Sequence, residues 1–576
     1  MVADRTVEMD IQLCSSETQT TQLAVEKPEE NLGENSTVNY IAEEESGGWK
    51  TFPFIIGSEL CTGIAITGLL ANMIVYLTTE FNINNIEATH ILNISGGGSE
   101  LSPLIGAFLA DAFLGRFCAI SISSVITFIA MILLLLTAII DPLRPPPCSP
   151  SVRATGSCVG PTTGQHAVLY VYFALLIAGS AGSSNSGAFG ADQFAKGGGK
   201  QLQSFFNWYY CVLYISIMIA STVIVYIESS VSWAWGFGIC LALNVIALIL
   251  FFSGTRLYNR VRPQGSPYTR LAQVIVACLR KRHLKLPAIA EDFYYGVKVE
   301  SGLPLTQQLR FLNKAAIKTS SDISPEGHTN LSPWKLCTVQ QVEDLKCIIK
   351  TLPIWSCIVA PAIINTQVGT FSVLQALAMD RHLGPHFNIP AASFFVFGLL
   401  ASSITLCVYE NVVVPWATAR EIKITKLMRI GLGMAINIVG IGVAAIVERK
   451  RRENRSVVPL SIFWLLPQQV IFGVAGAFSV GIIDFFYSEF PETARSTAAG
   501  LVGASGAVGF YLSSLLVAII HKNTDWLTND LNQSRLDYFY TFLCVIGVLN
   551  MAYFFPCARW YKYKAQAVNS HNMSMP

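Results

Sequence analysis

Charged residues are scarce in this sequence. Asp, Glu, Lys and Arg together make up 13% of its 576 residues, whereas 52% are hydrophobic and the mean hydropathy is +0.47. A soluble domain carries about 25% charged residues. This shortage excludes an ordinary soluble protein and predicts a chain that crosses a membrane many times. The net charge of +2 gives no reason to expect a nucleic-acid partner.

Signatures of enzymes and of metal sites are also missing. The sequence has no GxSxG nucleophile elbow, no phosphate-binding loop and no zinc-ligand spacing. We therefore expect neither an enzyme nor a cofactor or metal. Residues 1–50 are acidic and polar and lack the basic start and apolar core of a signal peptide. They are predicted to form a disordered cytoplasmic tail.

Long apolar runs dominate the rest of the chain. Each is about 20 residues long, which is enough to cross a bilayer as a helix. The predicted spans are 53–77, 88–113, 117–140, 167–191, 207–227, 232–253, 347–371, 391–413, 427–447, 460–483, 497–520 and 538–556. The predicted all-α architecture therefore has a six-helix bundle at 51–253, a cytoplasmic linker at 254–345, a second six-helix bundle at 346–557 and a cytoplasmic tail at 558–576.

Lys and Arg are concentrated in the loops of one side. The linker opens with RLYNRVRP and CLRKRHLK, and GGGK and REIKITKLMR fall on the same side. Because positively charged loops stay in the cytoplasm, we expect the linker and both termini to lie inside. The basic loop ERKRRENR at 448–455 disagrees, since twelve spans place it outside.

Two loop segments have more than one interpretation. YTRLAQVIVACLRKRHLKL, in the linker, is either an amphipathic helix on the inner membrane surface or a solvated basic linker. Cys148 and Cys158 lie in a polar loop predicted to face outside. There they either form a disulfide or remain free thiols, because sequence alone does not fix cysteine pairing.

A charged motif follows the second span. GAFLADAFLGRF contains Gly106, Asp111, Gly115 and Arg116, and a looser echo, VYENVVVPWATAREIK, follows the eighth span. The glycines allow helices to approach closely, and the acid–base pair is expected to latch the two halves at the cytoplasmic face. This motif within two six-helix halves resembles the major facilitator superfamily, whose halves rock about a site at mid-membrane.

Longer stretches narrow the resemblance. NISGGGSELSPLIGAFLADAFLGRF, GAFGADQF and LLPQQVIFGVAGAFSVGIIDFFYSEFPETARS resemble the second, fourth and tenth spans of the plant nitrate/peptide transporter family. That family is a branch of the proton-coupled oligopeptide transporters. The likeness extends over about residues 48–565 and implies one complete facilitator unit acting as a secondary transporter.

Several positions that are charged in the family are neutral here. Of the first-span motif E-x-x-E-[RK], only Glu59 remains. The family's fourth-span lysine aligns with Ser183, its tenth-span carboxylate partner with Gly476, and a seventh-span histidine or tyrosine with Asn365. Joint loss of the lysine and the carboxylate avoids a lone buried charge. This pattern, and LQALAMDRHLGPHFNIP, resemble the nitrate excretion transporter subgroup.

Two carboxyl groups, Glu59 and Glu100, lie well inside predicted spans. Ionisable groups in a membrane are functional by default. Either these two bind transported protons, alone or together, or they are structural. In the structural alternative, Glu59 bonds to neighbouring Ser or Thr, and Glu100 meets water or a backbone amide near a loop.

The energetics favour an uncoupled anion exporter. Moving one negative charge out of a cell held at about −100 mV releases roughly 2.3 kcal/mol, so nitrate release needs no protons. With no cation at mid-membrane, hydroxyl and amide groups would bind the anion. The candidate lining residues are Glu59, Thr62, Ser183, Ser184, Asn185, Asn365 and Gly476. We expect a low-affinity nitrate transporter of the plasma membrane, biased to efflux, with a small anion and the lipid bilayer as its partners.

Other functions stay open at this stage. The substrate can instead be chloride, a plant hormone or a glycosylated specialised metabolite, with or without proton coupling. Peptides are least expected, because their carboxylate requires a cation. A non-transporting nitrate sensor or scaffold is a further alternative, and the vacuolar membrane is the alternative location. The sequence does not indicate whether the chain forms a homodimer.

Overall fold

The structure is a computed structural model. It describes residues 47–148, 158–194, 198–261, 265–287, 292–295, 306, 308–319, 332–385, 387–454, 459–490 and 495–561. Nearly all of both predicted tails, and the side chain of Ser184, lie outside the described residues.

Twelve long helices form the bundle. In chain order they are α1 Phe52–Ala71, α2 Asn85–Leu109, α3 Arg116–Ile139, α4 Thr163–Gln193, α5 Lys200–Ser230, α6 Trp233–Arg256, α7 Val339–Leu377, α8 Ala391–Ala419, α9 Lys426–Glu453, α10 Ile462–Glu489, α11 Gly500–Asn523 and α12 Leu536–Trp560. Eleven of them, within the described residues, are long and apolar enough to cross a membrane. The other, α2, is 25 residues long but is rich in polar and small residues. The predicted all-α fold with two six-helix halves is confirmed.

Helix starts and interruptions follow the local sequence. The side chain of Asn84 caps α2 by accepting from the backbone nitrogen of Glu87 at 2.8 Å. Three π turns interrupt the long helices, at Ala110–Leu114 after α2, Ala220–Ile224 in α5 and Tyr409–Val413 in α8. The first and third occupy equivalent places in the two halves. Such turns are frequent at functional sites.

The bundle has two distinct ends. We call the end that carries residues 254–338 the linker end. The opposite end carries a β-hairpin of β1 (His382–Leu383) and β2 (Phe387–Asn388), and we call it the hairpin end.

The two halves meet at the hairpin end. Phe387 stacks on Tyr226 of α5 with ring centroids 5.8 Å apart. The amide nitrogen of Asn85 donates to the backbone oxygen of Asn529 at 3.0 Å. One apolar core contains residues of both halves, among them Phe371. Burying apolar surface from both halves in one core stabilises the closed hairpin end.

The linker folds on the protein itself. Its helix, Pro267–Arg280, buries Val274, Ala277 and Cys278 in a small core shared with residues 309–317 and the start of α7. The predicted helix is present, but this apolar face contacts protein. The helix also keeps Ile275 and Leu279 exposed, and its contact with the inner membrane surface stays a prediction.

The basic segment at the end of α9 is largely paired with acids. Arg451 bonds to the fully buried Glu448 at 2.8 Å, Arg452 to Asp537 at 2.7 Å, and Arg449 to the carboxylate one turn further on at 3.0 Å. The segment therefore carries much less free positive charge than its sequence suggests. Because acidic residues contribute little to the positive-inside rule, the orientation stays a prediction. At the same end, Cys148 and Cys158 are joined by a disulfide.

Candidate functional site

Glu59 has two neutral partners in the first half. It is half-buried on α1, and its carboxyl oxygens accept from the hydroxyl of Ser186 at 2.5 Å and that of Tyr209 at 3.2 Å. α1 and α5 can approach because Gly63 has no side chain; a Cβ there would lie 2.5 Å from Ser216 Oγ. No cation pairs with Glu59 among the described residues. Sequence analysis anticipated a hydroxyl partner, but neither Ser186 nor Tyr209 could be identified from it, since both come from other helices.

The neutral positions on α1 and α4 differ in exposure. Ser183 is exposed, and its hydroxyl donates to the backbone oxygen of Ser180 at 2.8 Å. Asn185 is only 3% exposed, and its amide nitrogen is 3.5 Å from the backbone oxygen of Ala181. Thr62 is half-buried on α1. Ser183 is therefore the better placed of the three to meet a substrate.

In the second half, the candidate site residues are an asparagine in an amide pair and a glycine with free space beside it. Asn365 of α7 is exposed, and its side-chain oxygen accepts from the amide nitrogen of Asn437 at 2.7 Å. A Cβ at Gly476 would lie 3.7 Å from Ser402 Oγ, an ordinary van der Waals distance. Gly476 thus stands where a side chain fits, as expected of a position that carries a carboxylate in the family. Asn437 was not singled out from the sequence.

Glu100 lies apart from Glu59. It is exposed on α2 and faces α11, where a Cβ at Gly506 would lie 3.5 Å from its carboxyl oxygen. No described residue forms a hydrogen bond with its carboxyl group. The two carboxyl groups face different helices, so the structure does not bring them together as a shared proton site.

The glycines of the loop motif have clear backbone roles. A Cβ at Gly106 would lie 1.8 Å from the backbone oxygen of Ala181, so only glycine permits this approach of α2 to α4. Gly115 has φ +77°, in the left-handed region that glycine adopts without strain. The motif therefore fixes both the packing of α2 and the turn into α3.

The charged residues of the motif pair within one half. Arg116, at the start of α3, contacts both carboxyl oxygens of Asp192 at 2.7 Å and Asp111 at 3.6 Å. All three residues belong to the first half, so the expected acid–base latch between the halves is wrong for this ion pair. Asp111 also contacts the linker. Its backbone oxygen accepts a hydrogen bond from the backbone nitrogen of Gly265 at 3.2 Å.

The second half repeats this arrangement. Arg429, at the start of α9, lies 3.6 Å from Glu410 and 3.4 Å from Asp484. Its acids come from the end of α8 and from α10, just as those of the first half come from the equivalent helices. The echo segment contains another arginine, Arg420, whose guanidinium lies over the ring of Trp416, 4.9 Å from its centroid. This ion cluster forms only when the helices pack together, and the sequence analysis did not identify it.

These features define the class of protein. Twelve helices in two halves, each with an arginine at the start of its third helix bridging two acids, form a secondary transporter of the major facilitator type. The model of the POT family matches residues 117–534. The chain is 42% identical to Protein NRT1/PTR FAMILY 2.13 of Arabidopsis thaliana over 550 residues, 91% of this chain and 88% of that protein. It is 38% identical to Protein NRT1/PTR FAMILY 2.12 of the same plant over 544 residues, 91% of this chain and 94% of that protein. The chain belongs to the POT family.

Solved structures agree with this fold. An auto-inhibited POT family peptide transporter superposes with TM-score 0.68 at 19% identity, covering 89% of this chain and 97% of that one. The POT family transporter PepTSo superposes with TM-score 0.65 at 18% identity, covering 89% and 99%. At these identities the likeness shows the fold alone. The relatives are transporters, and the prediction that the chain is not an enzyme is confirmed.

Proposed function

We propose that this chain is a low-affinity nitrate transporter of the plasma membrane that carries the anion down its electrochemical gradient, with efflux as the favoured direction. The observation that carries this proposal is the neutrality of the site. Glu59 is held by Ser186 and Tyr209, and the positions of the family's lysine and its partner are Ser183 and Gly476. Alternating access of the two halves supplies the path.

Neutral donors suit a small, weakly held anion. Ser183 and Asn365 are the exposed polar side chains of the candidate set, with a hydroxyl and an amide to offer. A hydrogen bond to a charged group contributes about 1.5–3 kcal/mol, so a few of them give a site of low affinity. A peptide would need a cation for its carboxylate, and none pairs with the described candidate residues. This difference supports nitrate over peptide.

The membrane potential sets the preferred direction. Outward movement of one anion releases roughly 2.3 kcal/mol at about −100 mV. An exporter therefore needs no coupled proton, and the incomplete first-span motif does not impair it. The expected orientation, with the linker inside, belongs to the same proposal.

Release of isotope-labelled nitrate from proteoliposomes tests the function. We expect release at equal pH on both sides, accelerated by an outward-driving potential. Asn365→Asp should slow release by about tenfold, because a new negative charge that costs about 1.4 kcal/mol of anion binding has that effect. Asn523→Asp, at the exposed end of α11, is the matched control and should behave like the wild type.

Four outcomes would contradict the proposal. Nitrate release that requires a proton gradient would show that transport is coupled to protons. Equal release in Asn365→Asp would move the site elsewhere. An inserted protein that moves chloride or a glycoside but no nitrate would assign another substrate, and one that moves none of these would support the sensor alternative.

A further inference from the structure

Glu228 is a buried carboxyl group outside the site described above. It lies in the last turn of α5 at the hairpin end and is only 2% exposed. Its position depends on Gly236 of α6, where a Cβ would lie 2.3 Å from Glu228 Cγ. Among the described residues, neither of its oxygens has a partner in good hydrogen-bond geometry, and the amide of Asn72 lies beside the carboxyl group as a neutral donor. An unpaired carboxylate in such a place costs several kcal/mol.

The neighbouring amide indicates which form of the acid is present. Asn72 faces Glu228 and uses its amide nitrogen to donate to Ser229 Oγ at 3.1 Å, which leaves its amide oxygen without a donor. A carboxylate can only accept, but a carboxylic acid can donate. A proton on Glu228 would remove the uncompensated charge and supply a donor of the kind that Asn72 Oδ1 lacks. Exchanging the amide oxygen and nitrogen of Asn72 would offer a carboxylate one neutral donor and still no cation.

The other groups around Glu228 do not supply a charge. Tyr172 of α4 and Cys240 of α6 are titratable side chains that interact with Glu228, and Tyr76, which follows α1, interacts with Tyr172. All three are neutral as acids at neutral pH. The hydroxyl of Tyr172 also has no partner among the described residues. The cluster thus consists of neutral groups around one acid.

Glu228 lies on a segment of α5 that contacts the second half at the hairpin end. It lies two residues after Tyr226, whose ring stacks on Phe387 of the hairpin at 5.8 Å and an interplanar angle of 15°. The π turn Ala220–Ile224 precedes this segment and gives it a point at which to bend. Parting of Tyr226 from Phe387 would bring water to the last turn of α5, and an exposed Glu is ionised at neutral pH.

We propose that Glu228 is a proton-binding site that holds its proton while the hairpin end is closed and releases it to water when that end opens. The proton leaves and returns on the hairpin side, so it regulates opening and does not drive transport across the membrane. Acid on that side stabilises the closed end, and alkali favours the open end. This role is independent of which substrate the protein carries.

Infrared spectroscopy of the purified full-length protein tests the protonation directly. At neutral pH the wild type should show a carboxylic-acid C=O stretching band that is absent from Glu228→Gln, a variant that keeps the shape of the neutral acid. Asp141→Asn, which alters an exposed acid at the same end, is the control and should keep the band. Identical bands in the wild type and Glu228→Gln would overturn the proposal.

Cysteine accessibility tests the coupling to opening. Ala392 is 3% exposed in the first turn of α8, which packs against residues 220–230. In an Ala392→Cys protein, labelling by a membrane-impermeant maleimide should rise several-fold, relative to a free thiol reference, from mildly acidic to mildly alkaline pH. This rise should disappear when Glu228→Gln is added. An equal rise with and without Glu228→Gln would overturn the proposal.

A second titratable pair at this end serves as a control. In the hairpin, His382 Nδ1 lies 2.6 Å from Asp380, and this hydrogen bond lowers the pKa of the Asp380 carboxyl. His382→Gln removes it. We expect the pH response of labelling to persist in His382→Gln. Loss of the response there, with retention in Glu228→Gln, would assign the switch to the hairpin and contradict the role of Glu228.

Discussion

Arg116 and Asp192 form the closest ion pair among the described residues of the first half, with one guanidinium nitrogen 2.7 Å from both carboxyl oxygens. The equivalent pair of the second half, Arg429 and Asp484, is looser at 3.4 Å. Asp192 is also better shielded than Asp484, with side-chain exposures of 19% and 52%. Each arginine lies at the start of the third helix of its half and contacts acids from the second and fourth helices of that half. The two halves therefore share the same ion cluster around an arginine, and the cluster is tighter in the first half.

Double-mutant cycles should reveal this difference. We expect Arg116→Ala and Asp192→Ala to show a coupling of about 1–3 kcal/mol in the free energy of unfolding. Arg429→Ala and Asp484→Ala should couple by less than about 1 kcal/mol, because their contact is longer and half-exposed. Reversible denaturation in detergent micelles measures both. A stronger coupling in the second half would contradict the ranking.

The close approach of α2 to α4 makes a second prediction. Gly106→Ala should destabilise the protein by roughly 1–3 kcal/mol or more, because the added methyl group meets the backbone oxygen of Ala181 and overpacks the contact. Gly442→Ala, in α9, is the control, since a Cβ there has nothing within 4 Å. Melting temperatures of the purified proteins compare them. Equal melting temperatures would show that the backbone moves freely at Gly106.

The sequence was sufficient for the fold because apolar runs and glycine-rich motifs are local signals. Contacts between distant segments were beyond it. Ser186 and Tyr209 meet Glu59 only after α4 and α5 pack against α1. Arg429 meets Glu410 in the second charged cluster only after α9 packs against α8, so the echo in the loop sequence could not identify it. Glu228 resembles a loop acid in the sequence, since it stands at the end of a span.

Because Gly476 has space beside it and Ser183 is exposed, charged side chains introduced at these two positions should change anion binding. Ser183→Lys should raise nitrate affinity, and a gain of about 1.4 kcal/mol would lower the KM tenfold. Adding Gly476→Glu should cancel this gain, because the carboxylate competes with the anion for the lysine. Ser183→Gln provides a neutral side chain of similar length as a control. Flux measured against nitrate concentration gives the KM values, and an unchanged KM in Ser183→Lys would place Ser183 outside the path.

Two substitutions at Glu59 separate its hydrogen bonds from its charge. Glu59→Gln keeps one oxygen that can accept from one of the two hydroxyls and places an amide NH2 that can donate to the oxygen of the other, so we expect the free energy of unfolding to change by less than about 1 kcal/mol. Glu59→Ala leaves both hydroxyls without this acceptor and should destabilise the protein by about 1–3 kcal/mol. Thermal unfolding of both variants checks the order. Equal losses in the two variants would point to the charge as the stabilising feature.

The reversal potential of nitrate currents tests the central claim of an uncoupled carrier most directly. Under voltage clamp, a tenfold change in the nitrate ratio should shift the reversal potential by about 60 mV, the potential equivalent to one anion's gradient. A change of external pH should leave the reversal potential in place in the wild type and in Glu59→Gln, even where the Glu228 switch alters the size of the current. A reversal potential that moves with external pH in the wild type and stops moving in Glu59→Gln would make Glu59 the site of proton coupling and contradict the account.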